Sequence, residues 1–212
     1  MSGGRFLTFE GIEGVGKTTQ VALLTAVLRD AGVAHVVTRE PGGTPLAEEI
    51  RNLVLTARAE TLPPAAELLL MFAARAVHLH HHIEPNLRAG RWVLCDRFTD
   101  ATYAYQGGGR GIDVEGIAQL ERMVQGGRRP DLTLLLDAPV EQALRRARQR
   151  NNSAPQDRFE SERVEFFERV RAAYLERAAA EPERIAVIDA AQPSDAVFSQ
   201  ILSALRERAW IT

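Results

Sequence analysis

The sequence predicts an α/β fold: a five-stranded parallel sheet with helices on both faces and a short mobile lid. Three observations carry that prediction. Apolar, β-favouring runs alternate with longer segments of helical periodicity along the chain. Four of the five runs are apolar at successive positions, the pattern of strands covered on both sides. A glycine-rich turn, Gly11 to Gly16, joins the first run to the first helical segment.

Each element has its own signal. Phe6 to Glu10 (FLTFE) is the first predicted strand. Thr18 to Ala31 carries apolar residues at Val21, Leu24 and Leu28, a helical stripe stopped by Gly32. Ala34 to Thr38 is a second strand. Pro45 to Thr56 is helical, with Leu46, Ile50, Leu53 and Val54 on one face. Pro63 and Pro64 open a long helical segment that reaches Leu87 and is bent or broken near Pro85. Trp92 to Asp96 is the third strand, Val114 to Val124 a helix, and Leu132 to Asp137 the fourth strand. Val140 to Arg150 is helical, and the polar run Asn151 to Asp157 (NNSAPQD) is a loop by composition. Glu160 to Ala180 is a helix, Ile185 to Asp189 the fifth strand, and Ser194 to Arg208 the last helix. The pattern resumes after the NNSAPQD loop, so residues 1–212 are expected to form one domain. The lid spans roughly 148–160.

Composition narrows the function. The chain has 212 residues and a net charge of −2, which supplies no general attraction to nucleic acid or to an anionic membrane. No apolar run is long enough to span a bilayer, and Met1 to Arg5 is polar, unlike a secretory leader. The single cysteine, Cys95, excludes a disulfide framework and points to a reducing, cytoplasmic setting. Its apolar neighbours predict a buried, inert thiol. Of 26 basic residues all but one are arginine, and the exception is Lys17.

Lys17 sits in Gly11-Ile12-Glu13-Gly14-Val15-Gly16-Lys17-Thr18, which fits G-x-x-x-x-G-K-[ST] without a mismatch. The motif follows a predicted strand and opens a predicted helix. The glycines allow successive backbone N–H groups to turn toward one anion, and the helix N-terminus adds its positive end. The compact ammonium of Lys17 should reach the β- and γ-phosphates of a nucleoside triphosphate, and the Thr18 hydroxyl should hold Mg²⁺. A second acidic ligand is expected at a neighbouring strand end. Asp96 and Asp137 both qualify, and Asp96 is favoured because Arg97 follows it.

A phosphate-binding turn does not choose between GTPases, ATPases and small-molecule kinases. The guanine-reading Asn-Lys-x-Asp loop is excluded, because no lysine remains to build it. Arginines stand beside predicted turns at Arg39, Arg75 and Arg97. Arg148, Arg150 and Arg158 bracket the NNSAPQD loop, where a closing lid could bring them over ATP. His78, His80, His81 and His82 lack further ligands at metal spacing and read as a polar helix face.

The chain resembles bacterial thymidylate kinase over nearly its whole length. The likeness lies in six stretches: FEGIEGVGKTT (Phe9 to Thr19), TREPGGT (Thr38 to Thr44), ELLLMFAAR (Glu67 to Arg75), DRFTDATYAYQGGGRG (Asp96 to Gly111), RPDLTLLLD (Arg129 to Asp137) and DRFE (Asp157 to Glu160). The resemblance implies transfer of the γ-phosphoryl group of Mg-ATP to dTMP, with Gly11 to Thr19 around ATP. It implies Glu13 near the acceptor's 3′-hydroxyl, Phe72 stacked on thymine, and Arg75 on the base edge. It implies Arg97 on the acceptor phosphate, Thr102 and Gln106 near base and sugar, and Tyr105 against a 2′-hydroxyl. Arg39 and Glu40 would belong to the loop beside that phosphate.

Some members of the family carry an arginine where Val15 stands. This chain resembles the subtype whose lid supplies that charge, here from Arg150 or Arg158. The resemblance also implies a homodimer. The alternatives are another deoxynucleoside or nucleoside monophosphate kinase, or a regulatory module that uses ATP as a switch.

Overall fold

Five strands among the described residues, β1 (Phe6–Glu10), β2 (His35–Arg39), β3 (Trp92–Asp96), β4 (Leu132–Asp137) and β5 (Ile185–Asp189), pair in parallel in the order β2-β3-β1-β4-β5. The structure is a computed structural model and describes residues 3–56, 59–150, 159 and 162–211, with Arg150 described by its backbone alone. β1 is central, and its five residues are all buried, as its unbroken apolar run predicts. The chain moves to one side of β1 for β3 and β2 and to the other for β4 and β5. Strand order therefore reverses at β1, and a ligand crevice is expected at the carboxyl ends there. The register pairs Phe9 with Asp96, so the turn after β1 opens beside the end of β3.

The helices are α1 (Lys17–Asp30), α2 (Pro45–Leu55), α3 (Pro64–His78), α4 (Glu84–Arg88), α5 (Thr99–Thr102), α6 (Val114–Gln125), α7 (Val140–Arg150), α8 (Val164–Ala180) and α9 (Ser194–Glu207). α2 begins as its sequence predicts: the Thr44 hydroxyl accepts from the Ala47 N–H at 3.4 Å, and Pro45 takes the first turn, where a missing donor costs nothing. Asp113 caps α6 in the same way.

The long helix expected to reach Leu87 is broken earlier than its proline suggests. α3 ends at His78, a π-helical turn occupies Leu79–Ile83, and Pro85 falls harmlessly in the first turn of α4. α8 begins at Val164; Glu160, where that helix was expected to start, lies outside the described residues.

Sequence reading assigned no helix between β3 and α6, yet α5 and a π-helical turn at Tyr103–Gly109 fill this stretch and are largely buried. The glycines are the reason. A Cβ on Gly108 would lie 2.6 Å from Ala173 Cβ, and one on Gly109 would lie 2.5 Å from the Phe166 ring, so α8 seats directly on bare backbone. The main core gathers β1, β4 and β5 with the inner faces of α1, α8 and α9. Cys95 is buried in a smaller cluster with Phe6 and Phe98, and burial raises its thiol pKa well above the usual range, as expected of an inert residue.

Candidate active site

The turn after β1 is shaped by positive φ at Gly11, Gly14 and Gly16, which a side chain would resist. A Cβ at Gly14 would also run into the Ala143 backbone carbonyl, so α7 braces the loop from behind. Lys17 starts α1 and folds back across the loop, its Nζ donating to the carbonyl oxygens of Gly11 and Ile12 at 3.0 Å each. Burial, with the Arg97 charge second, lowers its pKa to about 8.

Arg97 follows β3 in a left-handed backbone conformation, φ 69°, uncommon for a residue with a side chain. Three contacts hold that turn. The Arg97 N–H donates to the Phe9 carbonyl at 3.0 Å, the Phe98 N–H to Glu10 Oε1 at 2.7 Å, and the Cys95 thiol to the Arg97 carbonyl at 3.0 Å. The strain aims the guanidinium back over the loop, where it donates to the Gly11 carbonyl at 2.8 Å and to Glu13 Oε1 at 2.8 Å. The Tyr105 hydroxyl donates to the same Glu13 carboxylate, and the Tyr105 ring lies 4.8 Å from the guanidinium. Glu13, Arg97 and Tyr105 thus form one ordered group. Behind it, Tyr174 donates to Glu10 Oε2 at 2.7 Å. Burial, followed by the Asp100 charge, raises the Glu10 pKa to about 8.

A second buried group lies beside the first. The Arg75 side chain is fully enclosed, with Nε donating to Glu40 Oε2 at 2.7 Å and Nη2 to Thr102 Oγ1 at 3.0 Å. Its guanidinium lies over the rings of Phe72 and Phe98 at 4.9 and 5.0 Å. His78 completes the set through Glu40 Oε1 and Thr38 Oγ1. Gln106 Nε2 donates to Glu67 Oε1 at 2.7 Å. Two polar atoms of this group are buried with no partner among the described residues: Arg75 Nη1, a donor, and Gln106 Oε1, an acceptor. A buried orphan is expensive, and a donor and an acceptor together are what a heterocycle edge would satisfy.

The two groups border a cavity of about 310 Å³ whose polar wall includes Glu13, Lys17, Thr18, Asp96, Arg97 and Gln106. Leu55, Met71, Tyr105 and Phe159 supply apolar wall. Asp96 Oδ1 is a further buried oxygen with no partner among the described residues. Asp137, the rival at the end of β4, gives both carboxylate oxygens to Arg171 at 2.7 and 2.8 Å and does not line the cavity.

Other predicted residues stand elsewhere. Arg39 pairs with Glu48 at 2.9 Å and lines a separate groove. From α3, Met71 rather than Phe72 lines the cavity; Phe72 packs in the core with Leu68, Tyr103 and Ile117. Thr102 reaches Arg75, not the cavity. Ile12 and Val15 are buried loop residues, and Thr19 is exposed. The histidine cluster divides, with His78 buried in the Glu40 network and His80 and His81 exposed. Arg158 and the Arg150 side chain lie outside the described residues, as does most of the expected lid.

Sequence reasoning passed over Glu10, Arg51, Glu67, Phe159 and Tyr174. Glu10 and Glu67 carried a legible signal, a carboxylate among apolar neighbours in FLTFE and AAELLLM. Arg51, on α2, lines the cavity and donates to the Pro41 carbonyl at 2.8 Å, whereas Tyr174 reaches Glu10 across 164 positions of sequence. No local pattern announces either.

The family model described as thymidylate kinase matches residues 9–201. A curated thymidylate kinase of Chromohalobacter salexigens is 58% identical over 209 residues, covering 98% of this chain and 98% of its own. One from Pseudomonas entomophila is 59% identical over 194 residues, 92% of this chain and 91% of its own. The crystal structure of thymidylate kinase from Ehrlichia chaffeensis superposes with a TM-score of 0.78 at 36% identity, covering 96% of this chain and 99% of that one.

Proposed function

This chain belongs to the thymidylate kinase family and phosphorylates dTMP to dTDP at the expense of ATP; from that premise we propose how its residues divide the work. The observation that carries the reading is the single cavity shared by the phosphate-binding turn, Asp96, Arg97 and Gln106. Gly11 to Thr19 surround the triphosphate, with Lys17 released from the Gly11 and Ile12 carbonyls onto the β- and γ-oxygens. Arg97, and Arg51 facing the same space, hold the acceptor phosphate, where a planar fork matches two oxygens at once. Glu13 receives the 3′-hydroxyl, and Tyr105 closes the space a 2′-hydroxyl would need.

The base is read by the two orphaned atoms. Arg75 Nη1 donates to the C4 carbonyl of thymine, and Gln106 Oε1 accepts from its N3–H. Cytosine presents a donor at C4 and an acceptor at N3, so both contacts would oppose it. Phe72 backs the Arg75 guanidinium from the core, and Thr102 holds Arg75 in place.

Thr18 and the unpartnered Asp96 oxygen form an oxygen-only donor set that suits Mg²⁺. When bound with ATP, Mg²⁺ neutralises phosphate charge. The protein's own part is positioning. An oxygen of the dTMP phosphate is brought in line with the γ-phosphorus, a new P–O bond forms there, and the bond to the β–γ bridging oxygen breaks to release ADP. Val15 is apolar, so the remaining positive charge over the transferring group falls to Arg150 or Arg158 of the lid at 148–160.

We assign residues 1–212 to one kinase domain acting in the cytoplasm as a homodimer. Exposed Leu46 and Leu53 on α2, Leu69 on α3 and Met123 on α6 supply apolar surface for a second copy. Light scattering tests the dimer. An acceptor panel with ATP tests the activity: dTMP should give dTDP rapidly, with thymidine, dCMP and dAMP inert. Comparable turnover of dCMP would defeat the base-reading assignment, comparable turnover of thymidine would defeat the acceptor-phosphate assignment, and ATP hydrolysis independent of any acceptor would favour an ATP switch.

A further inference from the structure

We propose that Glu67 is a specificity-determining positioning residue, which locks the Gln106 amide so that its oxygen, and not its nitrogen, faces the base. The proposal rests on the base-reading assignment above and extends it to a residue that touches no substrate.

A primary amide is nearly symmetric in shape, and its two ends read opposite hydrogen-bond patterns. Left to itself, Gln106 could present either a donor or an acceptor to the position next to Arg75. Its Nε2 instead donates to Glu67 Oε1 at 2.7 Å, while its Oε1 is buried with no partner among the described residues. A carboxylate accepts and does not donate. Turning the amide over would set its oxygen against a carboxylate oxygen inside a water-excluded site, where repulsion between two acceptors is at its strongest.

Glu67 cannot swing aside to relieve the conflict. Its side chain is fully buried, and Arg110 Nε approaches Oε2 at 3.4 Å. Arg110 is itself held: its Nη1 pairs with Glu162, and its guanidinium lies over the rings of Phe159 and Phe166 at 5.4 and 4.8 Å. The carboxylate that sets the amide is therefore fixed from α3 and, through Arg110, from the start of α8.

The test compares kcat/KM for dTMP and for dCMP in the wild type, Glu67→Gln, Gln106→Ala and the double variant, with the KM for ATP as a control. A glutamine at 67 can donate as well as accept, so Gln106 is free to turn over. The expected result is a fall in the dTMP-over-dCMP preference of about tenfold, the effect of one misdirected hydrogen bond. The loss should lie mainly in the KM for dTMP, with the KM for ATP unchanged. Once Gln106 is alanine, the same change at 67 should add nothing to the preference. An unchanged preference in Glu67→Gln, or an equal fall with and without Gln106, overturns the proposal.

Should Glu67→Gln fail to fold, the wild-type enzyme decides by NMR. The Gln106 side-chain amide, assigned by its disappearance in Gln106→Ala, should show a downfield, slowly exchanging proton before any nucleotide is added. A rapidly exchanging pair at solvent-exposed shifts refutes the lock. A wild type that does not turn over dTMP defeats the functional reading itself. A wild type that does, with a preference indifferent to residue 67, defeats only the role of Glu67.

Discussion

Glu40 is the residue on which the base side of the site balances, and its removal makes a quantitative prediction. Its two oxygens hold Arg75 Nε at 2.7 Å and His78 Nδ1 at 2.9 Å, with the Arg75 and Glu40 side chains 0% and 2% exposed. Glu40→Ala strands the guanidinium in the interior, at a cost of about 3–5 kcal/mol for an uncompensated buried charge. The lost His78 contact adds about 1 kcal/mol. In a chain of this size each kcal/mol shifts Tm by about 2–4 °C, so the variant should melt about 10–20 °C below wild type.

The physical cause is charge stranding rather than lost volume, and a double variant separates the two. Glu40→Ala with Arg75→Met removes both charges and should recover a large share of the loss seen in Glu40→Ala alone. The assay is calorimetry on wild type, both single variants and the double. A Glu40→Ala protein melting within about 2 °C of wild type, or losses that simply add in the double, would refute the reasoning.

Lys17→Ala should leave the melting temperature near wild type and lower kcat by about a thousandfold, since the side chain acts on phosphate charge; retention of a tenth of the activity would remove Lys17 from the mechanism. Asp96→Ala should cost at least about a hundredfold in turnover. Asp137→Ala should cost less than about 1 kcal/mol of stability and little activity, because the partly exposed pair with Arg171 is all it loses; equal kinetic losses in the two variants would contradict the choice of Asp96. Glu10 has a folded pKa near 8 against 4.5 in its ordinary state, so its stabilising contribution is complete below about pH 4.5 and is lost as pH rises toward 8. Glu10→Gln should flatten the decline of Tm between pH 5 and 8, and thermal melts across that range showing the wild-type slope would exclude Glu10 as its source.

Much of this protein could be read locally. β1, β3 and β4 were legible because each is a short run whose burial on both faces favours apolar residues at successive positions, whereas β5, read in the same way, leaves Val187 exposed at the sheet edge; the phosphate-binding turn was legible because its glycines and lysine are contiguous. The family likeness lies in similar contiguous stretches. The π turns at Leu79–Ile83 and Tyr103–Gly109 were not legible. Long-range packing decides the second of them: α8 seats on the bare backbone of Gly108 and Gly109, a contact that no local pattern announces. The base-side residues were expected as contacts to nucleotide, yet Thr102 holds Arg75 and Phe72 stacks with it in the core, because a buried guanidinium must be surrounded before it can read anything.

The sequence by itself determined the sheet, the anion-binding turn and the class of reaction, since backbone geometry and residue chemistry decide these over a few neighbouring positions. Only the tertiary structure decided which of two strand-end aspartates faces the cavity, that Arg39 turns to Glu48 instead, and that Glu67 commands the Gln106 amide. Those outcomes depend on which charges remain unpaired after folding. Arg171 satisfies Asp137 from 34 positions away and no described residue satisfies Asp96 Oδ1, a difference no local pattern records.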